Sequence, residues 1–171
     1  MKIVASTKMN QAQRSMAEAR VYGQTSNSLF ENAETKPTGG KTLYVVSSSD
    51  KGLCGGIHSS LSKAVRLKLA ENPDADVCVM GEKCRAQLSR SHPQNMALSF
   101  AGIGKDLPSF AVAQTVANEI LSLGNDYDTI EIVYNNYKSP VSYEAETIDA
   151  FSESTILASG IYPSCFPSPF G

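Results

Sequence analysis

From Lys41 to Phe151, short apolar runs alternate with longer amphipathic stretches, and this alternation limits the chain to few folds. "TLYVVS" at 42–47 is a buried strand by its unbroken apolar content. "IHSSLSKAVRLKLAEN" is helical, with Ile57, Leu61, Ala64, Val65 and Leu69 on one face, and Pro73 stops it. "ADVCVMG" is a second strand. "EKCRAQLSR" is a helix that ends before His92-Pro93, and "NMALSF" is a third strand. "SFAVAQTVANEILSLG" is a helix begun by Pro108-Ser109 and closed by Gly124. "YDTIEIVYNNY" and "SPVSYEAETIDAF" are the last two strands. They are joined by a short turn without a helix, so they must pair antiparallel. The expected fold class is α/β: a Rossmann-like open sheet of about four parallel strands and one antiparallel edge strand.

Residues 1–36 read differently. Ala5, Met9, Ala12, Met16, Ala19, Gly23, Ser26, Phe30 and Ala33 keep alternating four-three spacing, a heptad seam on one long helix. Small residues and Met on such a seam allow a partner helix to come close. "ETKPTGGK" breaks the helix through Pro37 and Gly39-Gly40. The expected organisation is a shaft-like helix at 1–36, an α/β domain at 41–151 and an irregular tail at 152–171. In that tail "GIYPSCFPSPFG" has no helix or strand period. It is either a disordered tail or, the favoured expectation, translated non-coding sequence.

Composition excludes several classes. A formal net charge of -2 does not suit a dedicated nucleic-acid or polybasic membrane binder. The first twenty residues do carry Lys2, Lys8, Arg14 and Arg20 against Glu18, a basic face open to an acidic partner. No apolar run approaches the ~20 residues of a membrane span, and the start has no signal-peptide apolar core. Cys54, Cys78, Cys84 and Cys165 form no CxxC pair and read as reduced thiols. A zinc set of Cys54, His58, Cys78 and Cys84 has neither finger nor ribbon spacing.

The loop "SSSDKGLCGG", just after the first strand, is the candidate site. A serine-capped helix is expected to follow it. A glycine loop leading into a helix N-terminus suits phosphate. Here Lys51 precedes the glycines, which matches neither GxGxxG nor GxxxxGK[ST]. No acid closes the second strand for a ribose; Glu82 stands on the following helix. Cys54 with His58 and Asp50 is a possible nucleophile set. The plainer reading makes Cys54 a small packed residue and His58 a solvent-facing one. Asp50, Glu82 and Asp106 are scattered and form no acid–base pair. What remains is a contact loop whose glycines present Asp50 and Lys51 outward to a protein.

"SSDKGLCGGIHSSLSKAV" resembles the gamma subunit of the F-type rotary ATP synthase, whose loop is S-D-[KR]-G-L-C-G-x-[IY]-[HN]. "MKIVASTKM", "ARVYG", "AGIGKD" and "IEIVYN" are similar to further segments of that family, and "NAETK" to its fungal mitochondrial members. The resemblance implies a central shaft: N- and C-terminal helices in an antiparallel coiled coil, with a Rossmann-like domain between them. It implies a non-catalytic subunit without cofactor or metal. Such a subunit turns inside the ring of alpha and beta subunits. With the delta- and epsilon-type stalk subunits, it docks on the membrane c-subunit ring. The implied location is the matrix side of the mitochondrial inner membrane, with no insertion into the membrane and no nucleic acid bound. Asp50, Lys51, Gly52, Leu53, Cys54 and Gly55 match the stator-contact loop. Lys2 and Lys8 match basic positions of the shaft. Ala5, Met9, Ala12, Met16, Ala19, Gly23 and Phe30 match the coiled-coil seam. Relative to the family pattern, about twenty leading residues and the C-terminal helix have no counterpart, so a truncated member is expected: a fragment that folds its α/β domain but does not act as a rotor by itself. The rival expectation is a small Rossmann-like nucleotide-binding enzyme using Ser47–Gly56.

Overall fold

A computed structural model describes residues 2–32, 40–103, 109–124, 127–139 and 141–150. In chain order the elements are α1 (Lys2–Asn32), β1 (Thr42–Ser47), α2 (Ile57–Glu71), β2 (Asp76–Met80) and α3 (Glu82–Ser91). A 3-10 turn at Pro93–Asn95 leads to β3 (Met96–Phe100), then α4 (Phe110–Ser122), β4 (Thr129–Ser139) and β5 (Ser142–Ala150). The helix α1 and the sheet with its helices belong to separate compact units. The expected seam residues Ser26, Phe30 and Ala33 have side chains outside the described residues, as does the 152–171 tail.

The sheet has the order β3-β2-β1-β4-β5. Pairing is parallel for β1 with β2, β1 with β4 and β2 with β3, and antiparallel for β4 with β5. This is the expected Rossmann-like sheet with one antiparallel edge. The central strand is buried from Thr42 to Val46. That explains its continuous apolar run, because a central parallel strand is covered on both faces. Its side chains alternate. Tyr44 and Val46 join Leu61, Val65 and Leu69 of α2 and Cys84 and Leu88 of α3 in one core. Leu43 and Val45 join Cys78 and Tyr127 on the other, against which Ile120 and Leu123 pack.

Three local expectations are corrected. First, α2 has no serine cap: Gly56 is the N-cap and no side chain caps it. Ser59 and Ser60 already lie inside the helix, where Ser60 N–H donates to Gly56 O. Second, the buried face of α2 is His58, Leu61, Ser62, Val65 and Leu69, while Ile57 and Ala64 are half-buried. The stripe is rotated because α3 packs beside α2 and covers the His58–Ser62 flank. Third, as a consequence, His58 does not face solvent. By contrast, Ser109 does cap α4, its hydroxyl accepting from Val112 N–H.

The shaft-like helix is described by itself. Its seam residues Ala5, Met9, Ala12 and Ala19 are exposed, and Met16 and Gly23 are half-buried. Its first turn has no acid and its last turn no base, so no residue of the stabilising sign stands at either end of its dipole.

Lys41, where the chain enters β1, is held at several points. Its N–H donates to Asp128 Oδ2 at 2.9 Å and its ammonium pairs with Asp76 at 2.9 Å. That ammonium also lies over the Tyr127 ring. The hydrogen bond to Asp76 raises its pKa above the usual lysine value.

Two glycines with positive φ differ in how closely their surroundings crowd them. Gly81 has φ +102, and a Cβ there would meet Ser49 N at 2.6 Å and Ser49 Cα at 2.7 Å. Gly124 has φ +63 and open space around it. Gly124→Ala is expected to cost about 1 kcal/mol, the left-handed penalty alone. Gly81→Ala is expected to cost roughly 3 kcal/mol, because backbone must also move. Urea unfolding of the two variants checks the difference; equal losses would contradict it.

Candidate functional site

The loop between β1 and α2 lies over the carboxyl ends of β2 and β3. Ser48 N–H donates to Met80 O at 2.9 Å, and Asp50 N–H to Ile103 O at 3.1 Å. Gly81 lets this crossing happen, since its missing Cβ leaves room for Ser48 and Ser49. In turn Gly81 N–H donates to Phe100 O, which ties the β2 and β3 ends together.

Asp50 is the main departure from expectation. Its carboxylate turns inward rather than outward. Oδ1 accepts from Glu82 N–H at 2.7 Å and Oδ2 from Gly102 N–H at 2.5 Å. It thereby serves the α3 N-terminus, where a carboxylate complements the free N–H groups and the dipole. The loop after β3 is drawn to the same side chain. Lys51 is exposed, with no ion pair among the described residues.

Cys54 and His58 are brought together, with Sγ 3.3 Å from Nε2. Both also reach Lys51 O, Nε2 at 2.8 Å and Sγ at 3.2 Å. A carbonyl only accepts, so Nε2 carries the proton and donates. It therefore has no lone pair to take the thiol proton. His58 is only 8% exposed, and its Nδ1 has no hydrogen-bond partner among the described residues. The third group of a nucleophilic set is also missing, because Asp50 is committed to Glu82 and Gly102. The cluster closes the loop on itself and does not build a base-activated thiol.

The four-residue zinc set does not converge. Cys78 packs in the core beside Leu43 and Val45, whereas Cys84 lies in the core on the opposite face of the sheet, its Sγ donating to His58 O. Burial pushes the Cys78 thiol up to about 12. The phosphate reading concerns the α2 N-terminus, where Gly56 is the N-cap and no side chain caps it; the Asp50 carboxylate fills the neighbouring α3 N-terminus instead. Gly55 has φ +67 in open space, and Gly56 caps α2 close to the Tyr143 hydroxyl.

Leu53 is the residue whose importance the sequence understates. It has φ +58, the one positive-φ non-glycine residue among those described. That conformation costs a leucine about 1–2 kcal/mol. Its side chain is 110% exposed and touches nothing that would offset the cost. Lys83, from α3, was also missed. Its Nζ would lie 3.8 Å from a Cβ on Gly52. Only the pairing of β1 with β2 brings Lys83 to the loop, so no local motif signals it.

Two outcomes follow. Asp50→Ala is expected to cost about 1–2 kcal/mol through the lost cap and clamp, while Lys51→Ala stays within about 0.5 kcal/mol. Chemical denaturation of both variants decides this. Iodoacetamide at mild alkaline pH is expected to label Cys54 first among the three described cysteines. Cys78 and Cys84 should label only with denaturant, as read by peptide mass mapping.

The sequence and the fold both have counterparts among known proteins. A family profile described as ATP synthase matches residues 1–161. The mitochondrial ATP synthase gamma subunit of Pichia angusta is 48% identical over 158 residues, covering 91% of this chain and 58% of that protein. The Yarrowia lipolytica subunit is 49% identical over 162 residues, covering 91% and 55%. The chain thus spans little more than half the length of these relatives. Among solved structures, the Tetrahymena thermophila mitochondrial ATP synthase central stalk and c-ring contains a chain matching with TM-score 0.67 and 27% identity. That match covers 94% of this chain and 77% of the other. This similarity runs through the helix, the strand–helix alternation and the glycine loop, and the chain belongs to the gamma-subunit family of ATP synthase.

Proposed function

We propose that this chain contributes the N-terminal shaft helix and the α/β domain of a central-stalk rotor. The rotor couples proton-driven turning of a membrane c-subunit ring to ATP synthesis in a ring of alpha and beta subunits. The observation that carries this reading is the continuous likeness to mitochondrial gamma subunits over 91% of the chain. In this role the chain holds no catalytic group; nucleotide chemistry belongs to the ring. The loop at 50–55 faces the ring, with Lys51 pairing with acidic stator groups. Lys2 and Lys8 supply the basic side of the shaft. The seam from Ala5 to Phe30 packs on a second helix, and the foot meets the delta- and epsilon-type subunits. The named relatives are mitochondrial, and the proposed place is the matrix face of the inner membrane.

Physical requirements support the assignment. A rotor needs a lever that is stiff once paired, and a small-residue seam allows close helix packing. It also needs contacts that break at each step. Exposed ion pairs are worth only about 0–1 kcal/mol, which suits a contact made and released repeatedly.

Mixing the purified chain with alpha and beta subunits of a fungal mitochondrial ATP synthase tests the proposal. Native mass spectrometry at low salt is expected to show one chain per ring, lost as salt rises. ATP and NAD are expected to give the chain no saturable thermal shift. Failure to associate, together with such a shift, would overturn the rotor reading in favour of a nucleotide-binding enzyme.

A further inference from the structure

We infer that Leu53 is an apolar knob, on the same loop as the exposed Lys51 and next to Gly52 where the Lys83 side chain lies, that seats in an apolar socket with an acidic rim on a protein partner. The inference rests on the rotor reading and names the chemistry of the contact surface that the reading requires.

The argument begins from an imbalance. Leu53 adopts a left-handed backbone that glycine or asparagine would occupy more easily. Its side chain is fully exposed, so it gains no packing within the described chain. A turn alone therefore does not account for leucine at this place. A covering surface from outside the chain does, because strain held by well-determined surroundings is a mark of contact sites.

Those surroundings are well determined. Cys54, the next residue, is held by His58 Nε2 and Lys51 O. Asp50, three residues earlier, is clamped to Glu82 and Gly102. The knob is thus presented on a loop fixed from both sides, and binding it orders little that is not already ordered.

Charge selects the partner. Among the described residues, the charged groups near the tip are Asp50, Lys51, Glu82, Lys83 and Arg85. Asp50 is spent on backbone N–H groups, and Glu82 pairs with Arg85 at 2.8 Å. Lys51 and Lys83 remain without an ion pair among the described residues, and Lys83 lies along Gly52 beside the knob. An acidic rim complements them; a basic surface does not.

Binding of the chain to an immobilised alpha/beta ring tests this. Leu53→Gly is expected to raise Tm by about 2–4 °C through relief of strain, and yet to weaken binding by at least about tenfold. Leu53→Met keeps the apolar knob and should bind within about threefold of the parent. Lys83→Glu should leave Tm unchanged, slow association and flatten its salt dependence. Parent-like binding by Leu53→Gly would overturn the knob. If the unaltered chain does not bind the ring at low salt, the knob is overturned; the rotor reading falls with it only where ATP or NAD also gives a saturable thermal shift.

Discussion

The carboxylate of Asp50 fixes the exposed end of this fold. A parallel sheet leaves its strand ends and the following helix N-termini with free N–H groups, and these need acceptors or water. Asp50 supplies one acceptor to α3 and another to the segment after β3. One side chain on the loop after β1 therefore unites three strand ends. The position of Lys51, Leu53 and Cys54 follows from that clamp.

The clamp works because the core beneath it is dense. Leu61 and Val65 of α2, Val79 of β2 and Cys84 of α3 have no exposed surface, and they hold both helices that flank the loop. Strain at Gly81 and Leu53 is tolerable only on such a base. The opposite face is looser. There α4 has one buried residue, Val116, and Phe110 and Leu121 are largely exposed. Rigidity is concentrated where the loop is anchored.

Much of this was legible in the residues. The run of β1 ended where its apolar content ended, and Gly124 and His92-Pro93 marked helix ends through backbone geometry. The antiparallel edge followed from the short turn before Ser142. Side-chain direction was not legible in the same way. Asp50 on a glycine-rich tip looks solvated until the N–H of Glu82, brought close by strand pairing, claims it. His58 looks like an exposed helix-start residue until α3 covers its flank. Lys83 joins the tip only through the parallel register of Ser47 with Met80. Local pattern encodes the elements; long-range hydrogen bonds decide which polar groups remain available for a partner.

The two compact units differ in what they need from outside. The contact loop is preorganised by its own domain, through Asp50, Cys54 and the α2–α3 core. The helix α1 has no comparable support: no described side chain on it is buried, and several of its hydroxyls, such as those of Thr7 and Thr25, bond back to its own carbonyls. Such bonds do nothing to bury apolar surface, and a helix of this composition draws most of its stability from packing. In the proposed rotor this asymmetry separates two tasks. The loop can meet its partner repeatedly without refolding, because its geometry does not depend on being bound. The shaft becomes a lever only when its small-residue seam is filled, so its stiffness is a property of the assembly.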